Sequence, residues 1–129
     1  MAPFTDPHSI ALALAGIIGC GVALLHGVLT QRLVVRPVDA LAVQARTPPV
    51  IRRLVAALLQ FSTYNWFLGG LALLAAAAWL GPEARLAIAL LVGSSYLFGA
   101  VGNCWATRGR HVGWMLYAVA LGLMAFGVS

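Results

Sequence analysis

Gln60-Phe61-Ser62-Thr63-Tyr64-Asn65-Trp66-Phe67-Leu68-Gly69-Gly70 lies inside an apolar segment of membrane-spanning length. Amides, hydroxyls and an indole placed in hydrocarbon need partners, because each unsatisfied polar group there costs several kcal/mol. The segment therefore calls for a helix surrounded by other helices. Three further apolar stretches supply them, at about residues 10–29, 84–106 and 111–128, flanking a span of about 54–80. The fold class expected is all-α, a four-helix transmembrane bundle that forms one integral-membrane domain over residues 1–129.

Composition supports the same class. The chain is 62% hydrophobic and 9% charged, with a mean hydropathy of +0.95, whereas soluble domains carry about 25% charged residues. The net charge of +5 arises from eight arginines, without lysine, against Asp6, Asp39 and Glu83. These arginines cluster between apolar spans, a distribution that reads as membrane topology and contact with anionic headgroups and excludes a nucleic-acid surface. The first span lacks a preceding basic residue, is too long for a signal-peptide core and is not followed by a small-x-small cleavage site, so it reads as a retained helix.

Ser9 is a candidate cap for the first span. Gly16 and Cys20 share one of its faces, a small-residue seam suited to close helix approach. Residues 31–53 form the long connection, holding Arg32, Arg36, Arg46, Arg52 and Arg53. Within it Val38 to Ala45 suits a short interfacial helix between spans one and two, opened by Pro37 and ended by Pro48, with Leu41 and Ala45 on its apolar side. Gly81-Pro82-Glu83 is a tight turn, and Ser95, Gly99 and Asn103 form a thin stripe on the third span. Five arginines in the first connection and two in the third, against Arg85 beside Glu83 in the second, orient the chain by the positive-inside rule. The localisation expected is a bacterial inner membrane, multi-pass, with both termini periplasmic.

Counting a rise of about 1.5 Å per residue from the arginines, His26, Gln60, Asn103 and Tyr117 fall at roughly 8 to 10 Å. Tyr64, Asn65, Ser94, Ser95 and Tyr96 fall near the midplane, at roughly 16 to 21 Å. Cys104 at roughly 6 Å and Cys20 at roughly 18 Å are too far apart in depth for a disulfide. Gln60, Thr63, Tyr64 and Phe67 share one face of the second span, which reads as the centre of the bundle, and Ser62, Asn65 and Gly69 share another.

Three readings of these polar layers follow. They are interhelical glue, or His26, Gln60, Tyr64, Asn65 and Asn103 line a cytoplasm-facing ligand pocket, or His26, His111, Cys104 and Met115 contribute to a metal or haem site. No span carries Asp, Glu or Lys, and the one arginine within the stated bounds, Arg85, stands at the edge of the third span, which argues against carboxylate-coupled exporters and acid-using isomerases. There is no phosphate loop, serine hydrolase motif or zinc signature. Catalysis, if any, would be proton transfer at His26 with Tyr64, Asn65 or Asn103 as oxyanion donors. No catalytic residue or cofactor is assigned.

Tyr64-Asn65-Trp66-Phe67-Leu68-Gly69-Gly70-Leu71 resembles the signature of a family of small bacterial four-helix inner-membrane proteins of unknown function. His26, Gly99 and Thr107 stand where that family's pattern has similar residues. The resemblance implies the fold and the importance of Tyr64 and Asn65, without a substrate. The leading expectation is binding, with modification as its extension, of a hydrophobic molecule with one polar end, such as a quinone, terpenoid or lipid. The alternative is an accessory or assembly subunit of a larger membrane complex, and a homo-oligomer is compatible with either. A metal or haem protein is the third.

Overall fold

A computed structural model describes residues 5–129; the start of the short polar lead, with Pro3, lies outside them. The elements run α1 (Pro7–Thr30), a π-helical turn (Gln31–Val35), α2 (Arg36–Gln44), α3 (Pro49–Trp79), α4 (Pro82–Ala106) and α5 (Gly113–Gly127). Three helical stretches, Pro7–Gln44, Pro49–Trp79 and Pro82–Ala106, are long and apolar enough to cross a membrane, and the shorter apolar α5 completes the four-helix bundle. This is a multi-pass helical membrane protein.

Each end of these helices has a local cause. Asp6, not Ser9, caps α1: its carboxylate accepts from the Ser9 backbone N–H at 2.8 Å and from the Ser9 hydroxyl at 2.6 Å, and Pro7 occupies the first turn. Gly81 precedes α4 with Pro82 in its first turn, as the Gly-Pro-Glu sequence predicts. The α3 end carries a further device. Arg85, on the first turns of α4, reaches back to donate to the carbonyls of Ala76 at 3.1 Å, Ala77 at 2.9 Å and Leu80 at 2.9 Å. A cation thereby meets the carbonyls at the helix end, where only that of Ala76 also accepts a backbone N–H, from Leu80 at 3.2 Å.

The long connection is shorter than expected. The interfacial helix is present as α2, but it continues from α1 through the π-turn instead of standing apart, making one helical run of 38 residues. Pro37 has no N–H to return to Leu33, and the turn before it widens so that the Arg36 N–H bonds to the Gln31 carbonyl. The chain reverses only at residues 45–48. There the Arg46 N–H bonds to Val43 and the Thr47 N–H to Ala42, with Arg46 at φ 56°. The end of α4 repeats this pattern, Arg108 bonding to Trp105 and Gly109 to Cys104, with Arg108 at φ 51°. Both are Schellman closures whose left-handed residue is an arginine where glycine is usual.

The four long helices form a ring in which α1 touches α3 and α5, and α4 touches α3 and α5. The expectation that the second span is the centre is corrected: α1 carries ten buried residues and α3 five. Small side chains let α1 wedge between its neighbours. A Cβ on Gly16 would lie 2.7 Å from the Gly70 carbonyl, and one on Gly70 would lie 2.8 Å from both the Cys20 nitrogen and the Gly16 carbonyl. The predicted seam at Gly16 and Cys20 is thus a backbone-to-backbone crossing with α3. Cys20 and Cys104 are both free. At the far end the start of α1 meets the end of α5, His8 Nδ1 lying 2.8 Å from the Phe126 carbonyl with the two rings stacked.

The segment from α2 to α3 is pinned by one bidentate pair, Arg52 Nε and Nη2 donating to the two Asp39 oxygens at 2.7 and 2.9 Å. The Arg52 hydrogen bond holds the Asp39 carboxyl below its ordinary value of 3.8. A depressed carboxylate stabilises the fold above its unfolded value and loses that contribution as pH falls through the folded one. In detergent, the melting temperature is expected to be flat above pH 5 and to decline below about pH 4, with a shallower decline in Asp39→Asn.

Substitution at the crossing tests the packing. Gly70→Ala meets backbone on the facing helix and is expected to lower stability by about 1–3 kcal/mol in thermal or denaturant unfolding. Gly21→Ala, with no atom within 4 Å of the new Cβ, is expected to leave stability unchanged or raise it.

Candidate functional site

The α1–α3 interface toward the arginine-bearing end is a closed polar network. Gly27 brings α1 so near that a Cβ there would lie 2.6 Å from Thr63 Cγ2. The Gln60 amide accordingly reaches across to donate to the Gly27 carbonyl and to Gln31 Oε1, both at 3.1 Å. Thr63 donates to Gln60 Oε1 at 2.9 Å. One turn away His26 Nε2 meets both the Ser62 hydroxyl at 3.2 Å and the Thr30 hydroxyl at 3.1 Å, and the Trp66 ring packs edge-on at 4.7 Å. His26 and Gln60 therefore lie on one interface, as their common depth predicts. Thr30 and Gln31 were missed as partners; the four-residue step from His26 to Thr30 was the available signal.

Ser62 shares this interface rather than a second face with Asn65. The close crossing at Gly70 widens the arc of α3 that α1 covers. Asn65 and Gly69 turn to α4, Asn65 donating to Ser95 Oγ at 2.8 Å and Gly69 lying against Val92. Asn103 bonds to the Gly99 carbonyl of its own helix at 2.9 Å, and Tyr64, 61% exposed, points outward from the bundle. The five residues singled out in the sequence are thus distributed over the α1–α3 interface, the α3–α4 cleft, α4 itself and the outer surface. His26 is not brought together with Tyr64, Asn65 or Asn103 in a shared hydrogen-bonded cluster.

Between these sites the core is aromatic. Trp66, Tyr117 and Tyr96 follow one another at 5.1 and 4.8 Å between ring centroids. Gly99 makes room for the first two, since a Cβ there would lie 2.8 Å from Trp66 and 3.1 Å from Tyr117, and Gly19 makes room for the Tyr96 hydroxyl. Tyr96 donates to the Trp66 carbonyl at 3.3 Å. The fully buried Tyr117 hydroxyl has no partner among the described residues.

The remaining polar groups open to the outside. Asn65, Leu68, Gly69, Leu91, Val92 and Ser95 are among the residues lining a cleft of about 360 Å³ between α3 and α4. Asn65 stands sixteen residues after Pro49 and fourteen before Trp79, and Ser95 thirteen after Pro82 and eleven before Ala106. The pair is therefore at the midpoint of both helices. After their mutual bond, Asn65 Oδ1, the second Asn65 amide hydrogen and the Ser95 hydroxyl hydrogen have no protein partner among the described residues. Elsewhere, no three His, Cys, Asp or Glu side chains are grouped as metal ligands among the described residues. His111 Nδ1 is used locally, accepting the Gly113 N–H at 3.0 Å.

No family model, curated protein or solved structure matches the chain. The resemblance at Tyr64 to Leu71 stands as a likeness of pattern, and function rests on the residues themselves.

The two buried tyrosines should separate in a truncation test. Tyr96→Phe loses a hydrogen bond and is expected to cost about 1 kcal/mol, whereas Tyr117→Phe removes an unpartnered buried hydroxyl and is expected to be neutral or stabilising in thermal unfolding.

Proposed function

We propose that the protein binds, from within the bilayer, a long apolar molecule bearing a carbonyl or hydroxyl oxygen, of the quinone, terpenoid or lipid class. The supporting observation is the Asn65–Ser95 pair, open to lipid at mid-helix with donors and an acceptor unspent. In hydrocarbon those groups demand a partner. An amphiphile lying along Leu68, Gly69, Leu91 and Val92 would present its oxygen to the Asn65 amide. His26, Gln60, Ser62 and Thr30 hold α1 against α3 and so position the cleft wall, and Tyr64 and Asn103 stand outside the contact. The site so proposed is at mid-depth, not in the cytoplasmic half. The membrane in this reading is a bacterial inner membrane, and the arginine distribution supports an orientation with the α2–α3 and α4–α5 connections cytoplasmic and both termini periplasmic.

A second reading, an accessory subunit of a membrane complex, is favoured by Leu91, Phe98 and Trp105. These large side chains recur every seven residues on α4 and are all strongly exposed, a spacing that suits a partner helix.

Purification in mild detergent followed by organic extraction and mass spectrometry separates the two. The ligand reading expects a species enriched over bulk membrane lipid, reduced roughly 5- to 30-fold in Asn65→Leu, the equivalent of about 1–2 kcal/mol. No enriched species in the parent protein, or equal enrichment in the variant, sinks it. A stoichiometric co-purifying protein supports the subunit reading instead.

A further inference from the structure

At the arginine-bearing end, two cavities adjoin on either side of the Asp39–Arg52 pair. Both are lined by Val35, Asp39, Arg52 and Ala56. One, of about 390 Å³, adds Gln31, Arg36, Pro49 and Arg53 and is half polar. Its neighbour, of about 210 Å³, adds Val38, Ala42, Thr47, Ile51, Val55 and Leu59 and is apolar. Beyond the π-turn, α2 lies alongside the first turns of α3 without packing tightly, and no residue of α2 is buried.

The charges in the polar cavity do not cancel. Asp39 is its one acid, and both carboxylate oxygens are engaged by Arg52. Arg36 and Arg53 have no carboxylate partner, since Arg52–Asp39 is the sole ion pair among the described residues. The cavity therefore has an excess of two positive charges, with an apolar channel directly behind it. A monoanion with a hydrocarbon tail fits both halves. A zwitterionic headgroup would bring a cation toward Arg36 and Arg53 with no free carboxylate to receive it.

We infer that this double cavity binds an anionic phospholipid, the phosphate held by Arg36 and Arg53 and an acyl chain lying along Val38, Ile51, Val55 and Leu59. The site is separate from the α3–α4 cleft and does not rest on it. Guanidinium groups suit the phosphate through paired N–H donors, and the spare amide of Gln31, whose oxygen is taken by Gln60, adds a neutral donor. The Asp39–Arg52 pair acts as the divider between headgroup and tail.

The test uses the full chain in detergent and native mass spectrometry, with dioleoyl phosphatidylglycerol, dioleoyl phosphatidylcholine and inorganic phosphate as probes. Phosphatidylglycerol is expected to bind roughly 10- to 30-fold tighter than phosphatidylcholine, a preference lost in the Arg36→Gln/Arg53→Gln double variant. The Arg108→Gln/Arg110→Gln double variant, at the other turn of the same end, should retain it. Ala42→Phe, which fills the apolar cavity while keeping both arginines, should weaken phosphatidylglycerol at least fivefold, so the test does not depend on how well the arginine variant folds. An equal loss in both double variants would mean diffuse charge attraction and overturns the site. If inorganic phosphate competes at millimolar concentration and Ala42→Phe has no effect, the anion bound is free phosphate and the lipid assignment fails.

Discussion

The bundle depends on the crossing of α1 and α3 at Gly16 and Gly70, where two backbones come into direct contact. In a bilayer, lipid tails are as apolar as leucine, so helices gain little from hiding side chains from one another. Close packing and interhelical hydrogen bonds have to hold them. At this crossing an added methyl group on either glycine would meet main-chain atoms that cannot turn aside. The contact also sets the register of everything on either side of it. Toward the arginines it brings Gln60 to the Gly27 carbonyl and His26 to Ser62, and beside it Tyr96 of α4 fills the notch at Gly19.

Once that register is fixed, the polar side chains meet different fates. Those facing α1 are consumed in bonds across the interface or, for Thr63, in holding Gln60, and serve cohesion. Asn103 and Thr107 return to carbonyls of their own helix. The Asn65–Ser95 pair instead combines mid-helix position, a cleft between two helices and unspent hydrogen-bonding capacity. The network facing α1 is closed and the Asn65–Ser95 pair is open, and α3 separates the two.

Depth was legible in the sequence and azimuth was not. Counting from the arginines placed His26 and Gln60 in one layer, and the spacing of Gly16 and Cys20 marked the seam, because rise per residue is constant along a helix. Which way Tyr64 faces depends on how far α1 wraps around α3, a property of two helices together. The same limit hid the partnership of Ser62 with His26. The stretch from Gln31 to Arg36 was misjudged for another reason: its charge and Pro37 suggest a loop, yet a single wide turn accommodates the proline and lets the helix run on.

The arginines at 46 and 108 occupy left-handed backbone positions that glycine would adopt with about 1 kcal/mol less strain. Both stand at the end that carries the excess of positive charge. In the orientation proposed above, they belong to the pattern that holds this end in the cytoplasm while the nascent chain inserts. On that orientation, the finished bundle carries a permanent conformational burden at two turns in return for an instruction that would be read once, during its own synthesis.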